Sequence, residues 1–296
     1  MTVTRSRGFA AVLGAITLTV TMGTAAQAFT FTQSSGFVLG TETHTVGPSA
    51  LDGIRYFGPA VSTTDGSAGL PAGLGSFSTI AWGNGLNAGL DGNIANAPSF
   101  TVMPGPGPNA DKSGLLIVGS NGTINVGETV VLADIFHRNR VISGPTLLHV
   151  DIFSILNIFD GADLVLANTN NVAVDFNETS NGGTCNPATQ ISATPCDDFA
   201  TFPLDSFASV GFSVGGQDYV LTFSANCLAG DPNTARCDFP DPNDPTQARI
   251  ITAENNINHL QILMTLSVAA VPAPPALVLM GLGLAAALAA ARRRRD

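Results

Sequence analysis

Lysine is almost absent from this 296-residue chain, with Lys112 the single example. Trp and Tyr are nearly as scarce: Trp82, Tyr56 and Tyr219 are the only ones. Such a sequence has few aromatic platforms on which sugars could stack. Neither a His-Glu-x-x-His helix motif nor a P-loop occurs, so the usual zincin and nucleotide-phosphate signatures are excluded. The four cysteines include no Cys-x2-Cys spacing, which disfavours a zinc site. Convincing amphipathic helices are missing, and no internal repeat is visible.

Basic charge is concentrated at the two ends. Of 12 Lys and Arg, Arg5 and Arg7 lie near the start and Arg292, Arg293, Arg294 and Arg295 at the end. Only Asp296 of the 22 acidic residues lies in the tail, so the middle keeps six basic against 21 acidic side chains, a formal −15. An acidic surface of this kind argues against nucleic acid and anionic lipid as partners.

The ends themselves read as targeting segments. Residues 1–28 form a secretory signal peptide, with Arg5 and Arg7 as the positive region and Gly8 to Met22 as the apolar region. Ala26-Gln27-Ala28 is a small-x-small cleavage site, so the mature chain is expected to begin at Phe29. The implied partners are the secretion translocon and signal peptidase. Residues 269–296 hold a Pro-rich tether, an uncharged apolar run from 276 to 291, and the four arginines. As a helix that run is roughly 24 Å long against a hydrocarbon core of about 30 Å. It reads as a short transmembrane helix whose basic flank stays cytoplasmic. Within it, Gly281-Leu-Gly283-Leu-Ala-Ala286 matches a loose dinucleotide fingerprint but lacks the strand that such a motif needs.

Between the ends, residues 29–268 read as one exported all-β domain, an antiparallel, jelly-roll-like β-sandwich. His259 to Ser267 alternates, placing Leu260, Ile262, Met264 and Leu266 inward. Val172/Val174/Phe176, Tyr219/Leu221/Phe223 and Leu148/Val150/Ile152 alternate likewise, and Leu115–Val118 and Thr129–Ile135 read as strands. Asn121-Gly122, Asp160-Gly161, Asn181-Gly182-Gly183 and Gly215-Gly216 read as turns between them. Residues 58–113, rich in Gly, Ala, Ser, Asn and Pro, are expected to be irregular.

Cys185, Cys196, Cys227 and Cys237 all lie in the exported part, and an even number there reads as two disulfides in an oxidising compartment. Three pairings are open. The local one, Cys185 with Cys196 and Cys227 with Cys237, closes two short loops. Acidic clusters occur at Asp160–Asp163, Asp197-Asp198 and Asp238–Asp244. Oxygen-rich loops can hold a structural calcium, but none has the spacing of a calcium loop with a bidentate acid. His149 and Asp151 share a strand face and are expected to pair. No catalytic, cofactor-binding or metal-ligating residue is assigned.

Two resemblances add to this reading. Val271-Pro272-Ala273-Pro274, the apolar span and the Arg end together resemble the PEP-CTERM sorting signal of Gram-negative bacteria, with Ala273 where that motif usually has Glu. The resemblance implies processing by an exosortase near Pro272–Pro274. It also implies passage through the inner membrane and delivery to the cell surface or extracellular matrix, and family context suggests, by association only, a link to exopolysaccharide or biofilm. Further in, Phe136-His137-Arg138-Asn139, then Asn177-Glu178-Thr179, the cysteine region and Thr252–Asn256 resemble the Thr-His-x-Asn family of such proteins, related to the choice-of-anchor surface domains. His137, Asn139, Asn177, Glu178 and Thr179 match its pattern, while Phe136 departs from it. Ala81-Trp82-Gly83 is similar to an upstream Trp-Gly in that family. No catalysis is implied. On physical grounds His137 and Asn139 are expected to hydrogen-bond neighbouring loops and fix a strand end.

Overall fold

A computed structural model describes residues 27–45, 52–61, 76–87, 89–91, 100, 112–142, 144–179, 184–192, 196–228 and 235–269. The strands are β1 (Ala28–Val38), β2 (Thr43–His44), β3 (Asp52–Val61), β4 (Ser76–Asn87), β5 (Gly89–Asp91), β6 (Ser113–Gly119), β7 (Asn121–Asn125) and β8 (Thr129–Asn139). They continue as β9 (Leu147–Asp160), β10 (Asp163–Asn177), β11 (Asp198–Pro203), β12 (Val210–Val214), β13 (Gln217–Cys227), β14 (Ala235–Asp238), β15 (Gln247–Thr252) and β16 (Asn256–Val268). Two short 3-10 turns, Pro187–Thr189 and Leu204–Phe207, are the only helical elements among the described residues. No helix there is long and apolar enough to cross a membrane, and the expected span 276–291 lies outside the described residues.

Hydrogen bonding runs in one continuous curled path, β12-β13-β16-β8-β6-β4-β1-β9-β10-β11-β15-β14. Pairing is antiparallel except where β3 meets β5. Tight hairpins set the register. Gly161 (φ 61°) turns β9 into β10, and Gly215 and Gly216 (φ 59° and 80°) turn β12 into β13. Consecutive left-handed glycines match the right-handed twist of the flanking strands. Asn181–Gly183 lies outside the described residues.

The alternation in β16 is observed as expected: Leu260, Met264 and Leu266 are buried and Ile262 is half-buried. In β9 the expected phase holds for Val150 and Ile152, but Leu148 is exposed and Leu147 takes the buried place. The cause is local, because the β2–β9 register shifts beside it between Thr43 and His44. Asn121-Gly122 is not a turn but opens β7 against β1. A Cβ at Gly122 would sit 3.3 Å from the Phe31 ring, a tight contact to which the ring would have to yield.

The expected irregular stretch 58–113 holds the end of β3 and the whole of β4 and β5, and β4 is hydrogen-bonded to β1, β3 and β6. Phe77, Ile80, Ala81 and Trp82 are all buried, on both faces of the strand. A strand covered on both sides shows no alternation, and its small residues read as loop in sequence.

Among the described residues three larger apolar clusters, and a small one of Val38 and Phe153, fill the interior. One gathers Phe29, Phe31, Leu156, Tyr219, Leu221 and Met264. A second gathers Phe37, Tyr56, Trp82, Leu115, Leu147 and Val150. A third gathers Val174, Phe202 and Ala248. Phe29, the expected first mature residue, is fully buried, with its ring edge-on to Phe212 and Tyr219 at 5.4 and 5.1 Å.

Candidate functional site

His137 and Asn139 stand two apart near the end of β8, so both side chains project from the same face. Both are buried, and both reach Thr252, the last residue of β15. His137 Nδ1 lies 2.9 Å from Thr252 Oγ1, and Asn139 Nδ2 donates to the Thr252 carbonyl at 3.0 Å. Thr252 Oγ1 in turn donates to the Asp198 carbonyl. The assignment that satisfies both bonds puts the His137 proton on Nδ1 and leaves Nε2 as a bare lone pair. Burial holds the ring far below its ordinary value, at about 3, so it is neutral. The expected role of the pair, fixing a strand end, is what the geometry provides. Asn258, at an inward position of β16, completes the clamp. Its amide donates to the His137 and Ala253 carbonyls and accepts from the Ala253 N–H.

Trp82 stacks on His137 with centroids 5.6 Å apart, and Phe176 leans on both rings. The Trp82 indole N–H donates to Glu178 Oε2 at 3.2 Å. Thr179 follows directly, and its backbone N–H and hydroxyl both reach Asp198 Oδ1, at 2.7 and 3.2 Å. Asn177, the last residue of β10, is exposed and pairs with Phe199 in β11. The matched triplet therefore splits: Asn177 carries the ladder, while Glu178 and Thr179 turn inward.

Asp197 is fully buried, and its carboxylate is saturated. It accepts from the backbone N–H groups of Ile191, Ser192 and Glu254 and from the Ser192 hydroxyl. Such a carboxylate is a structural bracket. Asp198 and Glu254 are buried beside it, and Glu178 completes the group. Glu178 Oε1, Asp198 Oδ2, both Glu254 oxygens and Asn139 Oδ1 make no hydrogen bond of good geometry and are sealed from solvent.

Three acids so placed cannot all ionise cheaply. Burial pushes Glu178 up to about 9, with the Asp198 charge adding to it and the Trp82 N–H opposing. Glu254 rises to about 8 by burial and then the Asp198 charge, with Arg140 opposing. Asp198 rises to about 7 by burial, held back by Thr179 and the Asn139 amide. Burial and mutual repulsion thus favour the protonated forms of Glu178 and Glu254 ahead of Asp198, beside the Trp82–His137 stack. Among the described residues no group of three or more His, Cys, Asp or Glu side chains is placed to hold a metal ion.

The disulfides are the local pair, Cys185–Cys196 and Cys227–Cys237. The first pins the loop that delivers Asp197 and Asp198. The second joins β13 to β14, on opposite ends of the hydrogen-bonded path. Two disulfides fit an oxidising compartment. His149 pairs with Asp151 as expected, at 3.1 Å, and also with Asp175 at 2.7 Å. In the Asp238–Asp244 loop, Asp238 and Asp241 are engaged by buried Arg249, at 2.7 and 3.4 Å, and Asp244 accepts from Thr246.

One letter match escapes a sequence reading. Gly211-Phe212-Ser213-Val214-Gly215 spells the nucleophile-elbow pattern, which needs a strand-to-helix turn. Ser213 instead lies on β12, in a hairpin, exposed and hydrogen-bonded to Asp218. Asn258 also escapes it, as do the role of Thr252 as shared partner of His137 and Asn139 and the coupling of Glu254 to Asp198. The one available signal was an Asn in phase with the buried Leu260 and Met264.

His137 and Thr252 also border an interior cavity of about 300 Å³, walled by β6, β8 and β16 on one side and by β9, β10, β11 and β15 on the other. No protein-family model matches this chain, and no curated protein matches it.

Proposed function

We propose that this chain is an exported protein with a non-catalytic role at the cell surface or in the extracellular matrix, where its β-domain serves in structure, adhesion or binding. We read the curled sheet as a jelly-roll-like sandwich carrying a C-terminal transmembrane helix at 276–291. An exosortase acts on Val271–Pro274 after the secretion translocon and signal peptidase have acted at Ala28. Exopolysaccharide or other surface proteins are the partners this reading suggests.

The observation that carries the non-catalytic part is the state of the acids. Glu178 Oε1, Asp198 Oδ2 and both Glu254 oxygens are sealed from solvent, and Trp82 packs against His137 and Phe176. A glycan-active enzyme would need two carboxyls across an open cleft. The signal-like ends, the acidic middle and the two disulfides support export.

Intact mass and terminal peptide mapping of the protein recovered from cells and medium test the sorting. A form beginning at Phe29 and ending near Pro272–Pro275 is the expected result. A membrane form that keeps Arg292–Arg295 would overturn exosortase processing and leave a single-pass protein with a periplasmic domain.

A further inference from the structure

The three larger apolar clusters, the second and third bridged by half-buried Ile152 and Phe176, are separate groups of buried side chains. Between them lies the cavity of about 300 Å³, within the usual size range of small-ligand pockets. Its effect on burial is visible strand by strand. Ile262 is half-buried between buried Leu260 and fully buried Met264, and Ile152 is half-buried near fully buried Val150. Ile135, Val172, Phe223 and Ile250 also face this space and are half-buried. Interiors normally close-pack, so an apolar space this large forfeits contacts along its whole lining.

The space is elongated. Its lining runs from Leu132 to His137 along β8 and from Ile152 to Leu156 along β9, which at about 3.3 Å per residue gives a length of roughly 13–17 Å. Its rim is open beside the 3-10 turn Leu204–Phe207, where Asp205 and Ala208 are exposed. Leu, Ile, Val, Phe and Ala make up most of the walls. Polar side chains also line it: His137, Thr252 and Asn258 are held in the clamp, and Asn170 donates to the Ser206 carbonyl at the rim. A separate polar group is Gln33 and Ser35 of β1 with Ser154 of β9, all at inward positions. Gln33 Nε2 donates to both serine hydroxyls, 3.2 Å for Ser154. Each hydroxyl therefore keeps its own hydrogen to donate, and Gln33 Oε1, sealed from solvent, accepts nothing.

Charge narrows the ligand further. Among the described residues that line the cavity there is no Lys or Arg; His137 is neutral, and His259 is bound to Asp134 at 2.7 Å. Asp205 adds a negative charge at the rim. An anionic head would meet no counter-ion and one like charge.

We infer that the cavity is a binding site for a neutral single-chain amphiphile: a linear acyl chain along the apolar walls, with an uncharged ester or hydroxyl head at Gln33, Ser35 and Ser154. The inference concerns the β-domain alone and stands or falls apart from how the ends are processed.

The exported protein, purified without detergent, is titrated with monolauroylglycerol and with laurate, each below its micelle concentration, and read by native mass spectrometry. The expected result is a one-to-one complex with the monoglyceride, at least tenfold tighter than with laurate. Ala200→Trp places an indole in the cavity and should abolish binding while both disulfides and a cooperative melt persist. If that variant does not fold, Ile250→Phe serves, with binding reduced at least tenfold. Replacing both serines (Ser35→Ala with Ser154→Ala) should weaken the monoglyceride several-fold and leave laurate unchanged. No complex with the monoglyceride, or one undiminished by the filling variant, would overturn the site. Equal affinity for laurate, or no effect of the serine replacements, would overturn the assigned head group.

Discussion

Cys227 and Cys237 join strands that share no ladder among the described residues: Cys227 ends β13, near one end of the sheet, and Cys237 lies in β14, at the other. The bond therefore closes a seam that backbone hydrogen bonds leave open. Phe223 and Ala235, on the same two strands, border the cavity beside that seam.

Replacing both cysteines by serine should lower stability by about 3 kcal/mol, the loop-entropy value for a loop of this length. Urea unfolding measures this. Hydrogen exchange should rise in β13 and β14 and remain unchanged in the β9–β10 hairpin. Uniform exchange change would refute a seam role.

Stability should fall as pH rises from about 6.5 to 9. Glu178, Asp198 and Glu254 bind their protons more tightly folded than unfolded. Their contribution is fully present below the ordinary carboxyl range and is lost as pH climbs through the raised values. His137 acts oppositely, because its neutral folded form loses stability only as pH drops below 6.5. Above that pH nothing from His137 offsets the carboxyls, and the loss should be about 3 kcal/mol in order of magnitude. Denaturant titrations at a series of pH values check it, and a flat profile would refute the raised acids.

Trp82 is the single tryptophan and hydrogen-bonds Glu178, so its fluorescence should report that carboxyl. Emission from the folded protein should change with a midpoint near pH 9. Glu178→Gln should remove the transition and halve the alkaline loss of stability. A transition that survives the substitution would assign the signal elsewhere.

Asn258→Ala leaves the Ala253 N–H without its side-chain acceptor and removes a donor from two carbonyls. The expected cost is about 3 kcal/mol, since buried groups left unpaired lose their full desolvation. Chemical denaturation reads it; a cost below about 1 kcal/mol would mean the clamp is dispensable.

Arg249→Met should destabilise by about 3–5 kcal/mol, because buried Asp241 loses its cation. Adding Asp241→Asn to that variant should recover part of the loss. No recovery would mean that the arginine acts mainly through packing.

How much of this was legible in sequence varied with the residue. β16, β10 and β13 announced themselves, because one face is buried and the other is not, so period two survives in the letters. β4 did not, since its burial on both faces erased the alternation. His137 and Asn139 were visible as a same-face pair, and their shared target, Thr252, lies 115 and 113 residues away. Asp197 and Asp198 looked alike as neighbours. One became a saturated bracket and the other a raised acid, because successive side chains meet different surroundings.

Local spacing and composition carry the all-β class, the period of the main strands, the even cysteine count and the acidic middle between basic ends. The disulfide partners, the closure of the seam, the raised carboxyl cluster and the unfilled space among the apolar clusters arise only in the folded chain. Each of these depends on contacts between strands far apart in the chain, and on burial, which no local pattern encodes.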